Sequence, residues 1–219
     1  MLLDAAVPAL ILGAVFGRGR LGRLKDLDLR APLVFVLAAI IKVLLAIAGA
    51  RGMAIAIKLG APANIVSYLL VLLGLWLNRH LWPLRVVGLG VALNFLVIAA
   101  NGGAMPVDRS LAERLSAAGL VRLLDDPRYA SHKPVTSRTR LRPLADVLSL
   151  PLLFPRPRWF SPGSVGDIFM TVGACWLVLG ATGAFGLSVG RAACPAGPEP
   201  SRGELVEESP RPPEQDSAP

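Results

Sequence analysis

The side chains with chemistry to offer are few. They are the carboxylates Asp4, Asp146 and Asp167, the amides Asn94 and Asn101, and a basic run from Lys133 to Arg142 that includes Arg138 and Arg140. Guanidinium forks grip phosphate or carboxylate through paired hydrogen bonds, and carboxylates and amides orient a polar substrate. Between these groups lies Asn101-Gly102-Gly103-Ala104-Met105-Pro106. Its two glycines can take positive φ and present backbone N–H groups, while Pro106 stops a helix. Such a segment is either a broken-helix ligand or ion site or a plain helix terminus.

Other signatures carry less. Gly17–Gly22 reads GRGRLG, but an apolar stretch precedes it and a charged one follows, so the strand–turn–helix context of a dinucleotide fingerprint is missing. A basic turn at the headgroups explains it better. No phosphate loop, HExxH, GxSxG or Cys/His ligand spacing occurs, and His80 and His132 are too few for a His-based metal site. Cys175 and Cys194 make no disulfide framework. No metal and no cofactor are expected, and the balance is against catalysis. Lys133–Arg142 has no interleaved aromatic for base stacking, so nucleic acid is not an expected partner.

The elements that must hold these groups are set by composition. Of 219 residues, 53% are hydrophobic and only 17% charged, with mean hydropathy +0.56. A water-soluble domain of this size needs more surface charge, which points to lipid as the solvent. The tail 191–219 holds three Arg against six Asp/Glu, so of the formal net charge of +8 the rest of the chain carries +11. That is the balance of a chain touching anionic headgroups.

A bilayer core about 30 Å thick takes roughly 20 apolar residues per helix. The windows give an all-α polytopic transmembrane bundle over 1–190 with five spans, near 2–17, 31–50, 62–78, 84–101 and 165–187. The first is short, and four spans are the fallback. Loop 102–164 is expected to be partly helical, with a helix from Asp108 to Leu124 capped by Asp108 or Ser110 and ended by Asp125-Asp126-Pro127. The proline-broken stretch 143–160 suits a surface-lying or re-entrant element, and the Pro/Glu/Ser-rich tail 191–219 is expected to be disordered.

Arg18, Arg20, Arg23, Lys25 and Arg30 follow the first span, which favours a cytoplasmic first loop, an outside N-terminus and a cytoplasmic tail. Lys42 interrupts the second span, where an ionisable residue needs a polar partner or a shifted boundary. Asn94 and Asn101, seven apart, share a helix face and suit interhelical bonding. Ser164 is placed to cap the last span with Asp167 at N3. Gly180, Gly183, Gly186 and Gly190 let that span approach a neighbour closely, and offer a face for a homo-oligomer. With five spans, Asp4, Asn101, Asp146, Asp167 and the basic run fall on one membrane face.

Leu3-Asp4, Gly19-Arg20-Leu21, Asn101–Val107 (AsnGlyGlyAlaMetProVal), Thr139-Arg140-Leu141 with Asp146, and Ser164 with Gly166-Asp167 resemble a family of bacterial integral-membrane proteins known only as a domain of unknown function. The resemblance runs over residues 1–187, and Lys42 lies outside its motifs. It implies a multi-span membrane protein and supplies no reaction, substrate or catalytic residue. Two functions follow. One is a structural or accessory plasma-membrane protein with a basic loop on anionic lipid headgroups. The other is a small transporter or lipid-handling enzyme with a polar site at one face.

Overall fold

The computed structural model describes residues 22, 24–25, 27–115, 118–126, 131–149, 162–183 and 189. Four of its helices are long and apolar enough to cross a membrane: α1 (Pro32–Ala50), α2 (Ala54–Leu77), α3 (Trp82–Ala100) and α6 (Val165–Thr182). At 1.5 Å per residue the 19 residues of α1 and α3 reach about 28 Å, the depth of a hydrocarbon core. The expected span at 62–78 begins earlier, at Ala54. Gly52 turns the chain at φ +67° directly after α1, and exposed Lys58 is accommodated in the first turns of α2. The apolar stretch 2–17, the segment 150–161 and the tail lie outside the described residues.

Helix boundaries follow local chemistry. Pro32 and Pro83 open α1 and α3, where a missing N–H costs nothing. Ser164 caps α6 as its spacing predicts: its hydroxyl accepts from Asp167 N, and the Asp167 carboxylate accepts from Ser164 N, a reciprocal capping box. Gly183 ends α6 in the left-handed region at φ +72°. Gly166 and Gly173, in the first half of α6, make a close approach to α3; Gly186 and Gly190 lie outside the described residues. A Cβ on Gly173 would stand 2.8 Å from both Pro83 O and Val87 N. Helices α3 and α6 form the tightest pair, and α1 leans on α2.

Segment 102–164, in its described residues, holds strand as well as helix. The predicted helix over 108–124 is two short helices, α4 (Arg109–Arg114), capped by Asp108, and α5 (Ala118–Leu124). Around them the chain also builds strands. β1 (Met105–Val107) pairs in parallel with β2 (His132–Pro134), Met105 opposite His132, and on its other side Val107 bridges Asp146, also in parallel. The bonds run from Asp146 N to Pro106 O and from Asp108 N to Asp146 O, each 3.0 Å. A short 3₁₀ turn (Arg142–Leu144) leads into this strand. The result is a small cap over one end of the bundle, here called the cap face; the α2–α3 turn lies at the opposite, turn face.

Polarity is reversed relative to a water-soluble core. Leu33, Val43, Leu44 and Trp76 point outward, Leu33 being 76% exposed, while Asn64, Asn78, Asn94, Asp146 and Ser164 are buried. Apolar side chains still fill the interior between them. Leu75, Leu81, Leu84, Val87, Val91 and Met170 pack toward the turn face, and Val97, Ile98, Met105 and Ala145 lie under the cap.

Candidate functional site under the cap

Each helix brings a polar group to the cap end. Lys42 on α1 donates to Asn64 Oδ1 on α2 and sits 4.8 Å over the Tyr68 ring. Asn64 in turn donates to Gly103 O at 2.6 Å. An ammonium, an amide and a carbonyl thus connect two helices to the cap. This is the polar contact that an intramembrane lysine requires. Pro62, one turn away, has no N–H to give the α2 ladder.

Asn94 and Asn101 share a face of α3, as their spacing predicts, but do different things. Asn94 Oδ1 lies 2.8 Å from the Ser164 hydroxyl and its amide donates to Asp167 Oδ1 at 3.1 Å, fastening α3 to the capping box of α6. The Ser164 hydroxyl also lies 2.9 Å from Asp167 Oδ2, so its one proton serves either oxygen. Asn101 donates to Val97 O and to Arg140 O, and accepts from Arg140 N at 2.9 Å. Lys133 donates to Asn101 O.

Gly102 and Gly103 take positive φ, +74° and +89°, as expected of them. Their N–H groups are used within the chain: Gly103 N donates to Ile98 O at 2.8 Å and Gly102 N to Ala99 O at 3.4 Å. The turn therefore ends α3 and starts β1. Gly103 has no room for a side chain, because a Cβ would lie 2.6 Å from that of Ala61.

Asp146 is the centre's distinctive group. It is 1% exposed, its backbone is fixed by β1, and its Oδ1 is buried with no hydrogen-bond partner among the described residues. Burial, and then the nearby Asp167 carboxylate, push its pKa well above the usual carboxyl range. Half-buried Tyr68 packs between the two apolar clusters and lies in the field of both carboxylates. On the Lys42 side, burial and then the lysine charge hold the His132 imidazole down at about 4.

Of the residues singled out from sequence, Asp167 meets Asn94, and Asp146 lies within electrostatic reach of Asp167. Asn101, Gly102 and Gly103 form the adjoining turn. Arg138 and Arg140 are exposed on the cap, with Arg140 joined to the site through its backbone alone. Asp4 lies outside the described residues. Asn64, Ser67 and Tyr68 were not anticipated. Their signal was present as three polar groups at i, i+3 and i+4 on one face of an apolar run.

Residues 26–179, which hold all of these groups but Asp4, match the model of a family of unknown function, DUF5317. The chain belongs to that family. The DUF5317 match opens just before α1 and closes in the last turns of α6, so it takes in the four long helices and the cap together. No curated protein matches the chain. No solved structure matches it either.

Proposed function

We propose that this DUF5317 protein is an integral membrane protein whose four long helices cross the bilayer and whose cap closes a small polar site at one face. The site takes a ligand that gives a hydrogen bond to Asp146, as in a small transporter or a lipid-handling membrane enzyme. The observation that carries this is the Asp146 Oδ1, buried and unpartnered beside Asp167 and Tyr68. An unmet buried acceptor costs about 1–3 kcal/mol, and chains that keep one commonly use it. Two carboxyl groups within electrostatic reach of each other favour a cationic or N–H-bearing ligand over an anion.

Thermal unfolding of the detergent-solubilised full chain with ammonium, ethanolamine, sodium and magnesium salts tests this. At least one should raise the wild-type Tm and leave Asp146→Asn unmoved. If none separates the two proteins, Asp146 only packs and the ligand site is lost.

A second reading, a structural or accessory membrane protein, draws support from Asn101, Gly102 and Gly103. Their polar groups are spent on holding the cap in place. The exposed Arg138 and Arg140 would then rest on anionic lipid headgroups at that face. Orientation follows the described basic residues. Lys25, Arg30, Arg79 and Arg85 gather in short connections at the turn face, against Arg51 and Lys58 at the short connection at the other end, which supports a cytoplasmic turn face in a bacterial plasma membrane.

A further inference from the structure

The turn face carries a second feature, remote from the capped centre. Between the end of α2 and the start of α3 lies an open groove of about 480 Å³, lined by Leu72, Leu75, Leu84 and Gly88, with Arg79 and Arg85 at its mouth. That volume falls within the usual range of small-molecule sites, roughly 300–1,000 Å³. Trp76 also lines it, Trp82 stands outward at the start of α3, and each carries one of the arginines on its face. The Arg79 guanidinium is 4.5 Å from the Trp76 centroid and that of Arg85 is 4.0 Å from the Trp82 centroid. Arg85 Nε donates to Arg79 O at 2.6 Å, drawing the two residues together.

Among the described residues neither guanidinium is in an ion pair, and no acidic side chain lines the groove or stands in the first turn of α3. The mouth is therefore doubly positive. Stacking on the rings restrains the guanidiniums without using their terminal N–H donors, so less freedom is lost when they grip an anion. Tryptophan is the side chain that settles at the level of lipid headgroups, which places the mouth at phosphate depth.

We infer that this groove is a binding site for one anionic phospholipid, its phosphate forked between Arg79 and Arg85 and an acyl chain lying along Leu72, Leu75, Leu84 and Gly88. Gly88 keeps the floor open. A Cβ there would meet only Leu75, at an ordinary 3.9 Å, so a longer side chain would extend into the space the chain fills. The inference rests on the bilayer-spanning part of the proposed function and is independent of the polar centre.

Native mass spectrometry of the delipidated full chain tests it, with phosphatidylglycerol or phosphatidylcholine of identical acyl chains added. Wild type should retain phosphatidylglycerol about thirtyfold better, at roughly 1 kcal/mol for each of the two surface arginines. Arg79→Gln with Arg85→Gln should erase the preference, and Gly88→Leu should weaken retention with both arginines intact. Should the double variant not fold, Arg79→Lys and Arg85→Lys singly keep the charge and should each reduce the preference. Equal retention of the two lipids, an unchanged preference in the arginine variants, or displacement by an equal concentration of glycerol phosphate would each overturn the assignment, the last by revealing a simple anion site. A chain that takes up neither lipid nor detergent would instead overturn the bilayer-spanning reading.

Discussion

At the scale of single residues, Asp146 and His132 give the cap face opposite responses to acid. Asp146 has a raised folded pKa, so ionising it opposes folding. The penalty is absent below the ordinary carboxyl value of 3.8, grows as pH rises through the raised value, and is complete above it. Asp146→Asn should therefore melt higher than wild type at neutral pH and converge with it below about pH 4. His132 is held neutral, with a folded value of about 4 against an ordinary 6.5. Its contribution is complete above 6.5 and is lost as pH falls to about 4, and His132→Gln should remove that acid-side loss. Melting curves across pH separate the two. An Asp146→Asn curve parallel to wild type throughout would show that burial does not hold the carboxyl protonated.

Helix placement was largely legible at the scale of elements, because apolar windows, the prolines at helix starts and the Ser164–Asp167 spacing are local signals. The cap was not. Strands of three residues are too short to show period-two alternation, and β1 gains its partners from residues 131–135 and from Asp146, far along the chain. The partner of Asn101 was hidden for a related reason, since a backbone N–H and C=O leave no mark on residue type. Asn64 and Tyr68 were concealed inside a run whose average character is apolar. The tightest element contact, α3 on α6, also makes a prediction. Gly173→Ala puts a methyl against the backbone of Pro83 and Val87, and should cost about 1–3 kcal/mol of stability in detergent. Gly88→Ala, with open space beside it, should cost under about 1 kcal/mol, near the range of an ordinary surface change. Equal Tm shifts for the two would remove close backbone approach as the reason for glycine at 173.

For the whole molecule, the outward apolar face and the buried amides are compatible with lipid as the solvent of the four long helices. The two ends differ in kind: one is capped and carries the paired carboxyl groups, while the other is a bare turn bearing arginines on tryptophans. Single cysteines at positions 51 and 79, in a background with Cys175 and Cys194 replaced, should therefore label from opposite sides of sealed cells. Position 51 should react with an impermeant reagent and position 79 only after permeabilisation. The reverse pattern would invert the orientation, and equal labelling of both in sealed cells would deny that α2 crosses the membrane at all.

The two ends nevertheless share a device. Asn101 meets both the N–H and the carbonyl of Arg140, and buried Asn78, at the close of α2, does the same to Arg30: it accepts from Arg30 N at 2.7 Å and donates to Arg30 O at 2.9 Å. What each asparagine reads is the backbone N–H and C=O of one residue, indifferent to the side chain hung on it. For this fastening alone, positions 30 and 140 can take any side chain but proline, whereas a change as small as asparagine to aspartate at 78 or 101 loses the donor and unfastens the segment.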